Sequence, residues 1–172
     1  MPDDEGPLYA DRPTTEVSVD VDAPPEAVWP LVVDLDLPAR FSTEFGGADW
    51  LDPPAVGARF LGRNAHEALG PWETTSTVTE LEPGRRFCYA VTDPAEPSAL
   101  WRFTLDPLAD GRTRLTQWMQ IGPGRSGLSP AIEQMPAKER RIISRRLHEH
   151  RANMLRTCVG IKKLAESAPR RP

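Results

Sequence analysis

Residues 100–121 read LWRFTLDPLADGRTRLTQWMQI, and the order of side chains in this stretch decides the fold. Trp101, Phe103 and Leu105 alternate with Arg102 and Thr104, the period-two pattern of a strand with one buried face. Asp110-Gly111 supplies a turn, because glycine tolerates the positive φ that tight hairpins require. The chain then returns as Thr113–Ile121, with Leu115, Gln117, Met119 and Ile121 on a common face. Two alternating runs joined by a turn make an antiparallel hairpin whose apolar face must be covered.

Upstream the same pattern repeats. Phe87-Cys88-Tyr89-Ala90-Val91 is a further strand entered through the turn Glu82-Pro83-Gly84-Arg85, Trp72–Leu81 is threonine-rich and β-prone, and Gly57 opens a strand over Ala58–Ala65. The first strand is Val17, Val19 and Val21 alternating with Ser18, Asp20 and Asp22. Ala23-Pro24-Pro25-Glu26 then starts a helix, since proline is tolerated in a first turn and a carboxylate there complements the helix dipole. Pro30 is expected to kink or divide it, and a second short helical segment is expected through Pro38-Ala39-Arg40-Phe41.

Downstream lies the cover. Ile143, Leu147, His150, Met154, Cys158, Ile161 and Ala165 recur at spacings of three and four, which predicts one long helix over Lys138–Ala165. Leu147 and Met154 should face the sheet, and Arg145 and Arg156 the water. Gly122–Pro130, rich in glycine, proline and serine, reads as a flexible loop between the last strand and this helix. With Leu128 as its large apolar residue, the loop is expected to be a lid.

The 172 residues amount to one domain, 14–167, between a lead-in (1–13) whose prolines and carboxylates suggest disorder and a short tail (168–172). Hydrophobic residues are 39% and the net charge is -4, so the chain can fill a single core with little to spare. No apolar run approaches the ~18 residues of a membrane helix, and the acidic N-terminus is unlike a signal peptide. A cytoplasmic protein without membrane insertion is therefore expected, with Cys88 and Cys158 as reduced, packed side chains.

Residues 1–50 hold twelve acidic and two basic residues, whereas 138–172 hold eleven basic and three acidic, so the two ends should attract. Arg140, Arg141, Arg145, Arg146, Arg151 and Arg156 read as a solvated helix face. With a pI near 5.4 they do not make the footprint of a nucleic-acid binder. His148-Glu149-His150 resembles a metal motif on paper, but residues two apart on a helix point about 200° apart, and no metal or other cofactor is expected. Gly-x-Ser-x-Gly and P-loop signatures do not occur, and Gly122-Pro123-Gly124 is too short and proline-blocked to cradle a phosphate.

Five local patterns occur in a consistent order: Ala23-Pro24-Pro25-Glu26-x-Val28-Trp29 leading to Asp34; Val56-Gly57-x-x-Phe60; Val78-x-Glu80-x-x-Pro83-Gly84-x-x-Phe87; Trp101-x-Phe103-x-Leu105; and Gly111-x-Thr113-x-Leu115. Together they resemble the START/SRPBCC superfamily, in particular its polyketide cyclase/dehydrase and lipid-transport-like branch. The resemblance implies an α+β helix-grip fold: a seven-stranded antiparallel sheet wrapped around a long C-terminal helix, with two short helices after the first strand. It also implies an internal cavity for a hydrophobic or polycyclic small molecule. Fold alone leaves the activity open among a binding protein, an aromatase/cyclase and a resistance protein that sequesters an aromatic or enediyne antibiotic.

Strand parity then nominates the cavity wall. With Trp101 and Phe103 inward, Gln117 and Met119 on the next strand and Phe87 and Tyr89 on the previous one face inward as well. Phe60 inward brings Asn64 and His66 to the same side, and Trp72, Leu128 and Met154 complete the wall. Asn64, His66, Tyr89 and Gln117 form a polar set able to orient a carbonyl or hydroxyl of a ligand. His66 is the one candidate for a catalytic base.

Overall fold

The computed structural model describes residues 5–169. Seven strands form a single sheet: β1 (Thr14–Val21), β2 (Phe45–Trp50), β3 (Arg59–His66), β4 (Gly70–Glu82), β5 (Arg86–Asp93), β6 (Glu96–Pro107) and β7 (Thr113–Ile121). Their spatial order is β1-β7-β6-β5-β4-β3-β2, and every neighbouring pair is antiparallel. Three helices accompany them: α1 (Pro25–Val32), α2 (Ser129–Gln134) and α3 (Glu139–Ser167). This is the helix-grip α+β architecture, a meander from β2 to β7 with β1 returned beside the last strand.

Helix α1 runs through Pro30 without dividing and ends two residues later, and a 3-10 turn over Leu37–Arg40 follows. The strand left unassigned by its sequence is β2. Gly46-Gly47 interrupts its alternation, and its pairing with β3 shifts register between Phe45 and Ala48, a bulge that leaves no period-two signal. Around Gly122–Pro130, where an open loop is expected, Ser129 and Pro130 already belong to α2.

Helix α3 lies against β1 and β7 and packs on α1. Met154, Cys158, Ile161 and Ala165 are buried on its inner side, Leu147 is half-buried, and Arg145 and Arg156 are exposed. Gly160 is the close-approach point of this contact: a Cβ there would stand 2.5 Å from ring atoms of Phe41. The basic helix meets the acidic N-terminal segment through an ion pair, Arg146 with Glu44, and through backbone contacts: Lys162 Nζ donates to the Asp20 carbonyl at 2.6 Å, and Asp22 N–H donates to Glu166 at 2.8 Å.

Two expectations need correction. In the lead-in, residues 1–4 lie outside the described residues, but residues 5–13 are held against the body rather than free. Tyr9 packs on the core, its N–H donates to Glu139 at 2.8 Å and its hydroxyl donates to the Gly124 carbonyl. One aromatic residue, bonded through its hydroxyl and its backbone N–H, together with the buried Pro13 anchors this segment. Of the tail, residues 170–172 lie outside the described residues. The second correction is Arg146, which is 8% exposed instead of solvated.

Candidate functional site

Strand pairing lines up two rows of side chains on the concave face. Phe87, Phe103 and Gln117 are cross-strand partners over β5, β6 and β7, and Tyr89, Trp101 and Met119 form the adjacent row. On the other wing, Asn64 of β3 stands opposite Trp72 of β4, and Phe60 stands opposite Ser76. Phe60 meets Tyr89 edge to face at 5.0 Å and Trp50 at 5.6 Å, so aromatic contacts stiffen this wall.

Sheet and helix do not close on each other completely. A deep chamber of about 140 Å³ is bordered by Phe60, Phe87, Tyr89, Phe103 and Gln117 from the sheet and by Met154 and Thr157 from α3. An outer chamber of about 460 Å³ is bordered by Trp72, Met119, Arg125 and Leu128 and reaches the exposed Leu69. The chambers adjoin at a neck, where Glu44, Asn64, Thr74, Val91, Trp101 and His150 border both. Of the wall residues nominated by strand parity, His66 alone borders neither chamber.

The polar groups of this wall are largely unengaged. Among the described residues, the side chains of Asn64, Ser76, Tyr89, His150 and Thr157 have no hydrogen-bond partner, and Gln117 receives only the Cys158 thiol at 3.8 Å. Burial raises the Tyr89 phenol above its ordinary range and pushes the Cys158 thiol up to about 12. Burial, with the nearby Arg146 and His66, pushes His150 down to about 3, so its imidazole is neutral at physiological pH. Its ring lies edge-on to Trp101 with centroids 5.4 Å apart. The charged side chains bordering the deep chamber are the carboxylates Asp34 and Glu44, and neither Lys nor Arg borders it.

Arg146 is buried because it serves a charge cluster beside the neck. Its guanidinium is gripped at both ends by Glu44, with Nη1 at 2.7 Å from Oε2, and also reaches Glu149 at 3.3 Å. Burial opposes the charge on Arg146, but Glu44 and Glu149 outweigh it and raise its pKa, the behaviour required of a paired buried ion. His66 belongs to the same cluster: its Nδ1 accepts from Ala68 N–H at 3.1 Å, which leaves Nε2–H to donate to Glu149 at 3.2 Å. Placed at the very end of β3, His66 turns toward the helix instead of the ligand space.

Of the two helix histidines, His148 is exposed and His150 points inward, as their angular separation requires. Among the described residues no group of three His, Cys, Asp or Glu side chains could hold a metal ion. His150 was legible as part of the apolar stripe of α3, four residues before Met154. A histidine in such a stripe was the available signal for a polar group inside the cavity.

The β7–α2 loop sits at the outer chamber. Gly127 and Leu128 border it, and a Cβ added at Gly127 would stand 3.8 Å from Leu69 at the tip of the β3–β4 hairpin. The start of the loop is fixed: Gly124 N–H donates to the Pro97 carbonyl at 2.8 Å, and a Cβ on Gly124 would fall 2.0 Å from the Glu96 carbonyl oxygen, so only glycine fits.

Comparison with known proteins agrees with this geometry. The model of a family described as polyketide cyclase/dehydrase and lipid transport matches residues 12–152. A polyketide-cyclase-like protein of Corynebacterium glutamicum, solved in solution, is 31% identical over 89% of this chain and 91% of its own, with a TM-score of 0.62. The Zhui aromatase/cyclase of a Streptomyces species is 16% identical (TM-score 0.62, 90% of this chain and 93% of its own). The two-domain aromatase/cyclase BexL of the BE-7585A biosynthetic pathway is 18% identical (TM-score 0.66), with 91% of this chain matching 50% of its length. Among curated proteins none matches. Among the described residues no helix is long and apolar enough to cross a membrane.

Proposed function

Because the chain belongs to the polyketide cyclase/dehydrase and lipid-transport family, we propose that it binds a hydrophobic, flat, polycyclic small molecule in the space between sheet and α3. One observation carries this reading: an aromatic-walled cavity bordered by several polar side chains that have no hydrogen-bond partner among the described residues. Ligand sites combine a mostly apolar surface with a few placed polar groups, and the accessible polar atoms of this wall can bond to a carbonyl or hydroxyl of a bound molecule.

The aromatase/cyclase reading would use His150 and Tyr89 to exchange protons with a polyketide. Brønsted catalysts work best with a pKa near the working pH. His150 lies far below that and Tyr89 above it. Both are better suited to hydrogen bonding than to proton transfer, which favours binding over catalysis.

The test is titration with the uncharged fluorophore N-phenylnaphthylamine, whose emission rises in apolar surroundings. One-to-one saturable binding is expected for the native chain, and its loss in Ser76→Phe, which fills the deep chamber, provided that variant keeps its near-ultraviolet spectrum. No saturable binding, or equal binding by the filled variant, would reject the cavity as the site.

A further inference from the structure

The neck between the chambers has a chemistry of its own. His150 from α3 and Asn64 from β3 face it from opposite sides, both without a hydrogen-bond partner among the described residues. Trp101, which also borders both chambers, stands edge-on to the imidazole. The imidazole and the amide together offer both donors and acceptors. Around them the formal charges have one sign or are already spent. Asp34 borders the deep chamber and Glu44 both chambers; on the outer chamber Arg146 is engaged by Glu44 and Glu149, and Arg125 is paired with Glu133 at the surface.

A carboxylate or phenolate seated at this neck would lose its water and meet no free cation, a cost the site cannot offset. A neutral hydroxyl or ketone there would satisfy His150 and Asn64 at once. Resting on the binding reading above, the geometry points to His150 and Asn64 as a specificity-determining pair that selects ligands presenting an uncharged hydroxyl or carbonyl at the neck, with the ring system in the deep chamber and any anionic group left outside.

Three probes of one ring size test this by calorimetry: naphthalene, 2-naphthol and 2-naphthoate. The native chain is expected to bind 2-naphthol about tenfold more tightly than naphthalene, equivalent to about 1.4 kcal/mol, and at least about tenfold more tightly than 2-naphthoate. In His150→Phe the advantage of naphthol over naphthalene should fall toward onefold while naphthalene still binds. His150→Gln, which keeps a neutral donor and acceptor, should restore part of the advantage. A packing role alone would change both ligands together and would not be rescued by Gln. Equal affinities for naphthol and naphthalene in the native chain, an unchanged ratio in His150→Phe, or naphthoate binding as well as naphthol would overturn the selectivity while leaving the cavity as a binding site. Failure of the native chain to bind any of the three would overturn the binding reading and this inference with it.

Discussion

Acidification should destabilise this protein through His150. In an unfolded chain the imidazole titrates near 6.5, whereas in the fold burial holds it near 3. Between those values the unfolded chain binds a proton that the folded chain refuses, so stability is fully present above about pH 6.5 and declines as pH falls toward 3. At about 1.4 kcal/mol per pH unit beyond the unfolded pKa, the loss at pH 5 is about 2 kcal/mol, or roughly 4–8 °C of melting temperature for a domain of this size. His150→Leu removes that proton uptake. It leaves in place the other charged groups around the site: Arg146 and Glu149 on α3, His66 on β3 and Glu44 at the start of β2. Urea unfolding of both proteins at pH 7 and pH 5 therefore isolates the contribution as a difference of differences. The native chain is expected to lose about 2 kcal/mol more than the variant. Equal losses would mean that His150 is not held neutral, and the argument from burial would fall.

Breaking the Arg146 cluster with Glu44→Ala leaves a buried cation with one partner fewer and should cost about 3–5 kcal/mol by denaturant unfolding, whereas the joint replacement Glu44→Leu with Arg146→Met should recover most of it. Gly160→Val drives side-chain atoms into the Phe41 ring and should cost at least about 1–3 kcal/mol in the same assay, a loss that Phe41→Ala in the same chain should partly relieve. Tyr9→Phe deletes the hydroxyl bonded to the Gly124 carbonyl; amide exchange over residues 122–128 should accelerate by up to about tenfold, with the β5–β6 core unchanged. The same amides should slow when an aromatic ligand saturates the cavity and Leu128 closes on it; unchanged protection would make the loop a plain connector.

The parts of the fold that alternate or repeat at helical spacing are plain in the sequence. Thr113–Ile121 has the boundaries its side chains dictate, and α3 differs from its periodicity by residues at its ends, because both patterns are created by burial of one face. Strand β2 was hidden because the Gly46-Gly47 bulge removes the alternation that marks a strand. Inward-facing rows from Phe87 to Gln117 follow from parity, which survives wherever register is unbroken. His66 defeats the parity argument for a local reason: at a strand end the pleat no longer constrains the side chain, and Glu149 offers it a hydrogen bond. Arg146 was illegible because its burial depends on Glu44, a partner 102 residues away that no local pattern announces.

The pairing of β1 with β7 sets a timetable. Thr14 is matched with Gln120 and Val21 with Thr113, and among the described residues β1 pairs with no other strand. On a ribosome the first strand therefore waits, apolar side chains exposed, until β7, which begins at Thr113, has been made, and α3, which covers it, comes later still. Contacts of such long sequence separation slow folding, because the intervening loop must be ordered before any pairing energy returns. The alternation of Val17, Val19 and Val21 with Ser18, Asp20 and Asp22 then gains a second use: the two carboxylates on its polar face keep a waiting strand from pairing with its copies on neighbouring nascent chains.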